Sequence, residues 1–237
     1  MKRLLITLAG LALASGTAFG QSATAVATAT NGGSATANAT SLGNADSLAI
    51  AGATNGGRAI SNSHAQGTRN GYANSRSVAT ADRGLAVSNS LANADGRFGG
   101  SAIADSESIA ATFGGLALSN SDARANGTLF GHATSRSYST ALSEFGVATS
   151  NSQARSAGVL GGRATSISDS FSNTRFGWAD SNVRASSDAR LRGHAFANGR
   201  GVSINRFSRT RADVTAIGSA SRFGRSNARA TMIRIRR

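Results

Sequence analysis

Residues 115–123 read Gly115-Leu-Ala-Leu-Ser119-Asn-Ser121-Asp-Ala123, and residues 146–154 read Gly146-Val-Ala-Thr-Ser150-Asn-Ser152-Gln-Ala154. Both follow the unit G-x-A-x-S-x-S-x-A, in which small residues alternate with variable ones. A period of two belongs to a β-strand, because successive side chains on a strand point to opposite faces. The tripeptide Gly-x-Ala that opens the unit recurs from Gly33 to Gly193, and from Gly57 onward its steps are 13 to 16 residues. Bulky residues ahead of the glycine keep a similar spacing: Phe98, Phe113, Phe130, Phe145, Leu160, Phe176, Leu191, Phe207 and Phe223.

Such periodicity is the signature of a repeat architecture. The expected fold is all-β, a parallel β-solenoid or β-roll built from ~15-residue repeats, with copies of the chain associating. One repeat is read as one coil of two short strands and two tight turns, which gives roughly fourteen coils in a rod on the order of 65 Å. Asn31-Gly32, Asn55-Gly56 and Asn70-Gly71 suit corners that need positive φ. The small residues either line the coil or pack against neighbouring copies. The first position after Gly (Arg58, Tyr72, His132, Trp178) reads as solvent-facing, and the third (Ile60, Val87, Ile103, Leu118) as partly buried. Strict alternation puts both on one side, so a bend or bulge is needed to satisfy both readings.

Composition agrees with a thin-cored chain. Of 237 residues none is Pro and none is Cys. Pro cannot donate to a ladder of strands, and without Cys neither disulfides nor thiol chemistry is available. The other reading of this composition is a disordered, silk-like or amyloid-like extracellular matrix chain.

Lys2 and Arg3 precede an apolar run from Leu4 to Ala14, and small residues follow up to Ala18-Phe19-Gly20. This reads as a secretory signal peptide over residues 1–20, cleaved after Gly20; a retained anchor is the alternative. The mature chain is then expected outside the cell, at the cell surface or in the periplasm, with no transmembrane segment. Residues 21–56 form irregular leading repeats, 57–205 the regular solenoid, and 206–237 an Arg-rich end.

The formal charge of +14 is unevenly placed, since residues 21–154 hold seven Arg and seven acids while residues 155–237 hold sixteen Arg and four acids. The candidate anion-binding residues are Arg184, Arg190, Arg192, Arg200, Arg206, Arg209, Arg211, Arg222, Arg225, Arg229, Arg234, Arg236 and Arg237. Guanidinium forks bind carboxylate and phosphate, so anionic polysaccharide, lipopolysaccharide or extracellular DNA are the partners this field attracts, besides other copies of the chain. A solvated charged end that blocks end-to-end stacking is the competing reading.

The segments Gly146-Val-Ala-Thr-Ser-Asn-Ser-Gln-Ala-Arg-Ser, Gly100-Ser-Ala-Ile-Ala-Asp-Ser-Glu-Ser-Ile-Ala and Gly84-Leu-Ala-Val-Ser-Asn-Ser-Leu-Ala resemble the head repeats of YadA-type trimeric autotransporter adhesins, across residues 30–200. That resemblance implies a left-handed parallel β-roll, three chains side by side and binding to matrix or other surfaces. The family's Gly after Val-Ala-Ile is mostly Ser here, and neither a coiled-coil stalk nor an anchor barrel is read in the chain.

No catalytic pattern emerges: there is no G-x-S-x-G elbow, phosphate loop or calcium nonapeptide. An enzyme, a cofactor, a metal site and a small-molecule substrate are therefore not expected. His132 and His194 share one slot of the repeat, four coils apart on the one-repeat coil. The nearest approaches to an acid cluster, for a surface-acting hydrolase, are Asp95, Asp105 and Glu107, and Asp180 with Asp188. An ice-binding solenoid is the main alternative to adhesion, resting on the same-slot row Thr134, Thr149 and Thr165.

Overall fold

A computed structural model describes residues 3–19, 22–43, 45–67, 71–96, 101–127, 132–159, 163–190, 194–206, 209–221 and 225–236. Phe98, Gly100, Phe130, Leu160, Leu191, Phe207 and Phe223 of the repeat, Asn70, and Arg192, Arg222 and Arg237 of the basic set, lie outside the described residues.

The strands are β1 (Arg3–Phe19), β2 (Ser22–Leu42), β3 (Ala45–Ala53), β4 (Arg58–Gly67), β5 (Tyr72–Ala81), β6 (Gly84–Gly96), β7 (Ser101–Gly127), β8 (His132–Gly158), β9 (Arg163–Arg190), β10 (His194–Asn205), β11 (Arg209–Ser221) and β12 (Arg225–Arg236). Every pairing is parallel. The chain is a parallel β-solenoid with two faces. One face stacks β3, β5, β10 and β12 with the first halves of β2, β7, β8 and β9. The other stacks β4, β6 and β11 with the second halves of those four long strands.

The coil is twice as long as the repeat, which corrects the one-repeat coil of the sequence reading. Ser119 aligns with Ser150 and Ser150 with Ser181, and Asn residues of successive coils meet at a separation of 31 positions. Each repeat therefore supplies one strand of one face, and the rod has about half the expected number of coils. Earlier coils are shorter, with separations of 24 and 27 at the same rung.

The thin interior explains the long coil. Alanines such as Ala59, Ala86, Ala117, Ala148 and Ala179 are fully buried, and so are serines such as Ser61, Ser88, Ser119 and Ser150. With little larger between them than an occasional Thr, Val183 or Asn205, the two sheets approach closely enough for serine hydroxyls to hydrogen-bond across the slab. Ser108 Oγ donates to the Ser88 carbonyl at 2.6 Å, Ser119 Oγ to the Ser108 carbonyl at 2.6 Å, and Ser139 Oγ to the Ser119 carbonyl at 2.7 Å. A slab this thin closes with flat, long sides, so a whole repeat is spent on each. Each cross-slab hydrogen bond contributes ~1 kcal/mol, and a buried hydroxyl left without one would cost more.

The small residues thus line the interior rather than a surface between copies. The first and third positions both face outward without any bulge. Arg58, Tyr72, His132 and Trp178 are exposed, whereas Ile60, Val87, Ile103 and Leu118 are half-covered by their neighbours in the stack. Asn31, Gly32, Asn55 and Gly56 take positive φ at the expected corners.

The repeat's glycine has a steric reason. Gly84, Gly115, Gly146 and Gly177 stack coil on coil, and the last three have φ between +123° and +135°. A Cβ at Gly146 would overlap the Gly115 carbonyl oxygen. Gly146→Ala is expected to cost about 3 kcal/mol or more in urea denaturation, because that backbone region is essentially glycine-only. Gly52→Ala is the control: its Cβ would sit 3.6 Å from Thr80 Oγ1, an ordinary contact, and its cost should be near zero.

Candidate functional site

Position five after the repeat's glycine is Asn in six repeats of one face, and the two-repeat coil brings those asparagines into a single file, whereas on the opposite face Asn198 has Ile167 and Arg229 as its neighbours. Asn38, Asn62, Asn89, Asn120, Asn151 and Asn182 occupy successive rungs. Their side-chain amides bond one to the next: Asn62 Nδ2 donates to Asn38 Oδ1, Asn89 to Asn62, Asn120 to Asn89 and Asn151 to Asn120, each at 2.8 Å. One N–H and one carbonyl lone pair per ladder amide remain beyond these bonds.

Beside this ladder runs a groove of about 960 Å³ that follows the solenoid axis from Asn38 to Thr215. Its other side carries Thr40, His64, Leu91, Asp122, Gln153 and Arg184, with Arg155 alongside. The leading end is neutral and the trailing end basic. Asp122 is held by Arg124 at 2.6 Å. Burial holds the His64 imidazole below its ordinary pKa, and its Nε2 lacks a hydrogen-bond partner.

A second feature lies on the corner leading into this face. Phe113, Phe145 and Phe176 are exposed and stack along the axis, the first pair edge-on at 5.7 Å and the second parallel at 5.2 Å. Val147 and Trp178 extend this apolar surface onto the sheet. Arg175 lies over Phe176 and pairs with Glu144 at 3.1 Å.

The sequence-predicted arginines do not form one patch. Arg184 lies in the groove, while Arg209 and Arg211 follow on the same face in β11. Arg200, Arg225 and Arg229 are on the opposite face, and Arg206 is at a corner. Several are engaged: Arg190 with Asp188 at 3.1 Å, Arg211 with Asp213 at 2.6 Å, and Arg234 with the Ala212 carbonyl at 2.9 Å. The backbone of Arg236 pairs with Asn205.

Other predicted groupings also change with the coil length. Thr134 stacks on Thr165, but Thr149 is on the other face, so the three-threonine row does not form. His132 and His194 are two coils apart rather than four, with Arg163 between them, at ~10 Å by strand spacing. No group of three metal-binding side chains occurs among the described residues. The acids are interleaved rather than clustered: Asp105 lies between Asn74 and Arg136, Glu107 between Arg76 and Tyr138, and Asp180 between Thr149 and Arg211.

No family model matches the chain, and no curated protein or solved structure is significantly similar to it. The groove must therefore be read from its own chemistry.

The amide file was missed in the sequence because a one-repeat coil places the asparagines on alternate rungs. Ser-Asn-Ser at 61–63, 88–90, 119–121 and 150–152 was the available signal.

Burial pushes the carboxyls of Asp105 and Asp169 above the ordinary range, and Arg136 and Arg200 only partly offset it. An acid with a raised folded pKa favours folding while protonated, and its charge penalises the fold as pH rises from the unfolded value through the folded one. Asp105→Asn and Asp169→Asn are therefore expected to raise the thermal midpoint at pH 7. The gain over the parent should shrink as pH falls from the raised folded pKa toward the ordinary carboxylate value of 3.8 and be lost below it, as melting curves across pH will show.

Proposed function

We propose that this protein is a secreted or cell-surface structural and adhesive solenoid that lays an extended acidic polysaccharide along its amide-lined groove. The observation that carries this reading is the axial groove itself, with a regular amide file along one side and Arg155 and Arg184 toward its trailing end. Amide N–H and C=O groups at strand spacing suit the hydroxyl pairs of successive sugars, which each both donate and accept. Guanidinium groups suit the carboxylate or phosphate of an acidic sugar in a bidentate fork. A groove without a closed end matches a polymer rather than a small molecule.

The apolar corner of Phe113, Phe145 and Phe176 adds a surface on which sugar rings stack through their C–H faces. Copies of the chain displayed outside the cell would present many such grooves, and multivalency turns modest single-site affinity into adhesion. The likeness to YadA-type head repeats points to the same use, a surface-displayed roll. The leader at residues 1–20 is what would deliver the chain there.

Calorimetric titration with an oligouronate long enough to span the groove tests this reading. Binding should weaken as salt rises. Arg155→Ala with Arg184→Ala should lower affinity for the acidic chain by about tenfold or more, from the loss of charge-assisted hydrogen bonds. Asn120→Leu with Asn151→Leu should weaken binding of acidic and neutral glycans alike. Binding that ignores all four substitutions, or no binding by any glycan, would overturn the proposal, and a preference for DNA would replace its ligand.

A further inference from the structure

Strand edges are where a solenoid meets other chains, because an edge strand carries backbone N–H and C=O groups with no partner. Proteins guard such edges with charge, proline or a covering segment. The residues of β11 and β12 follow the first course, with Arg209, Arg211, Arg225, Arg229 and Arg234. Strand β2 does not: its 21 residues hold no charged side chain, no His and no Pro. What guards it is a cover. Strand β1 lies parallel along it, Arg3–Ala9 against Thr24–Thr30 and Leu11–Phe19 against Ser34–Leu42.

That cover is the leader itself. We propose that removal of residues 1–20 uncovers the outer edge of β2, and that this edge pairs with the same edge of a second copy to give a two-fold dimer. The occupant is a second copy because the uncovered edge is uncharged, already accepts a strand through its backbone, and gains nothing from the Arg-bearing strands at the other end of the solenoid. An isologous contact of this kind closes on itself and stops at two copies.

The geometry of a coil fixes how the edges meet. A solenoid climbs one strand spacing per turn, so residues 22–30 stand half a spacing ahead of residues 34–42 on the opposite face. A two-fold axis along the strand direction sets residues 22–30 of one copy over residues 34–42 of the other, and each step fills its counterpart. The paired strands run antiparallel. Ser108 and Ser88 face each other across the slab on the files of Ala25 and Ala37, so Val26 comes opposite Thr36 of the second copy. Both side chains point outward and are half-buried.

The inference rests on removal of the leader and not on what the groove binds. The test is therefore the state of association rather than glycan affinity. A protease recognition sequence inserted between Gly20 and Gln21 allows the folded full chain to be cut and the freed peptide dialysed away, with mass in solution as the readout. The cut chain should be dimeric. Val26→Lys with Thr36→Lys sets like charges opposite each other twice per dimer and should weaken association by about tenfold. Val26→Lys with Thr36→Glu should restore it, which a folding defect would not do. In the uncut chain neither pair should alter association. A cut chain that stays monomeric, with or without the peptide bound, would overturn the proposal, as would open-ended filaments indifferent to these charges.

Discussion

The interior of this solenoid is only as thick as alanine and serine allow, and the rest of the structure follows from that limit. Two parallel sheets brought this close admit a larger residue only where the opposite side gives way, as where Val183 takes the place of a serine and Gly199 and Gly201 lie against it. Their contact area is apolar in part and hydrogen-bonded in part. Ser106 Oγ reaches both the carbonyl and the hydroxyl of Ser90 on the opposite sheet, at 2.8 and 3.0 Å. Such a core has little of the transfer free energy that leucines and phenylalanines supply elsewhere. Backbone ladders along the axis and hydroxyl bonds across it take over, which is why a sequence without Pro fits the fold.

A small-residue interior also moves every distinctive side chain to the outside. On a conventional core the aromatics are consumed by packing. Here Phe145, Phe176 and Trp178 remain 45%, 39% and 43% exposed. Stacking gives outward side chains a second order, because each file of like residues is held at the strand spacing by the backbone. The Asn file bonds internally for this reason, and the Phe file stacks for the same reason. Charges obey it as well: Arg76 meets Glu107 at 3.1 Å on the next coil, and Arg175 meets Glu144. Such exposed pairs contribute little stability, but they keep like charges from accumulating along a file.

Much of this was legible in the residues, and the error had one source. The period of two, the glycine corners and the absence of Pro specify a parallel stack of strands. What they leave open is how many repeats close a coil, since a repeat of 15 residues serves equally as a full turn of short strands or half a turn of long ones. The difference is set by slab thickness, a property of two sheets together, and no single repeat contains it. A cue was nonetheless present: Asn follows the first Ser in the repeats at Gly84, Gly115 and Gly146, whereas the repeats at Gly100 and Gly131 carry Asp105 and Arg136 there. Alternation between neighbouring repeats is the mark of a two-repeat coil. The predicted threonine row and the four-coil histidine spacing failed together because both inherited the shorter coil.

The two faces have consequently diverged. One carries the amide file and its groove, and the other carries a mixed field in which Arg76, Glu107, Tyr138, Asp169 and Arg200 succeed one another on a single file. Opposite charges alternating around a tyrosine compensate one another along that file, while Arg136, Arg163, Arg225 and Arg229 stand elsewhere on the same face. The groove face is polarised along its length instead, from Asn38 and Thr40 at one end to Arg184 and Arg211 toward the other. The first face is thus a patchwork of scattered charge, whereas the second presents amides in register beside unequal ends, even though both are built from the same repeat.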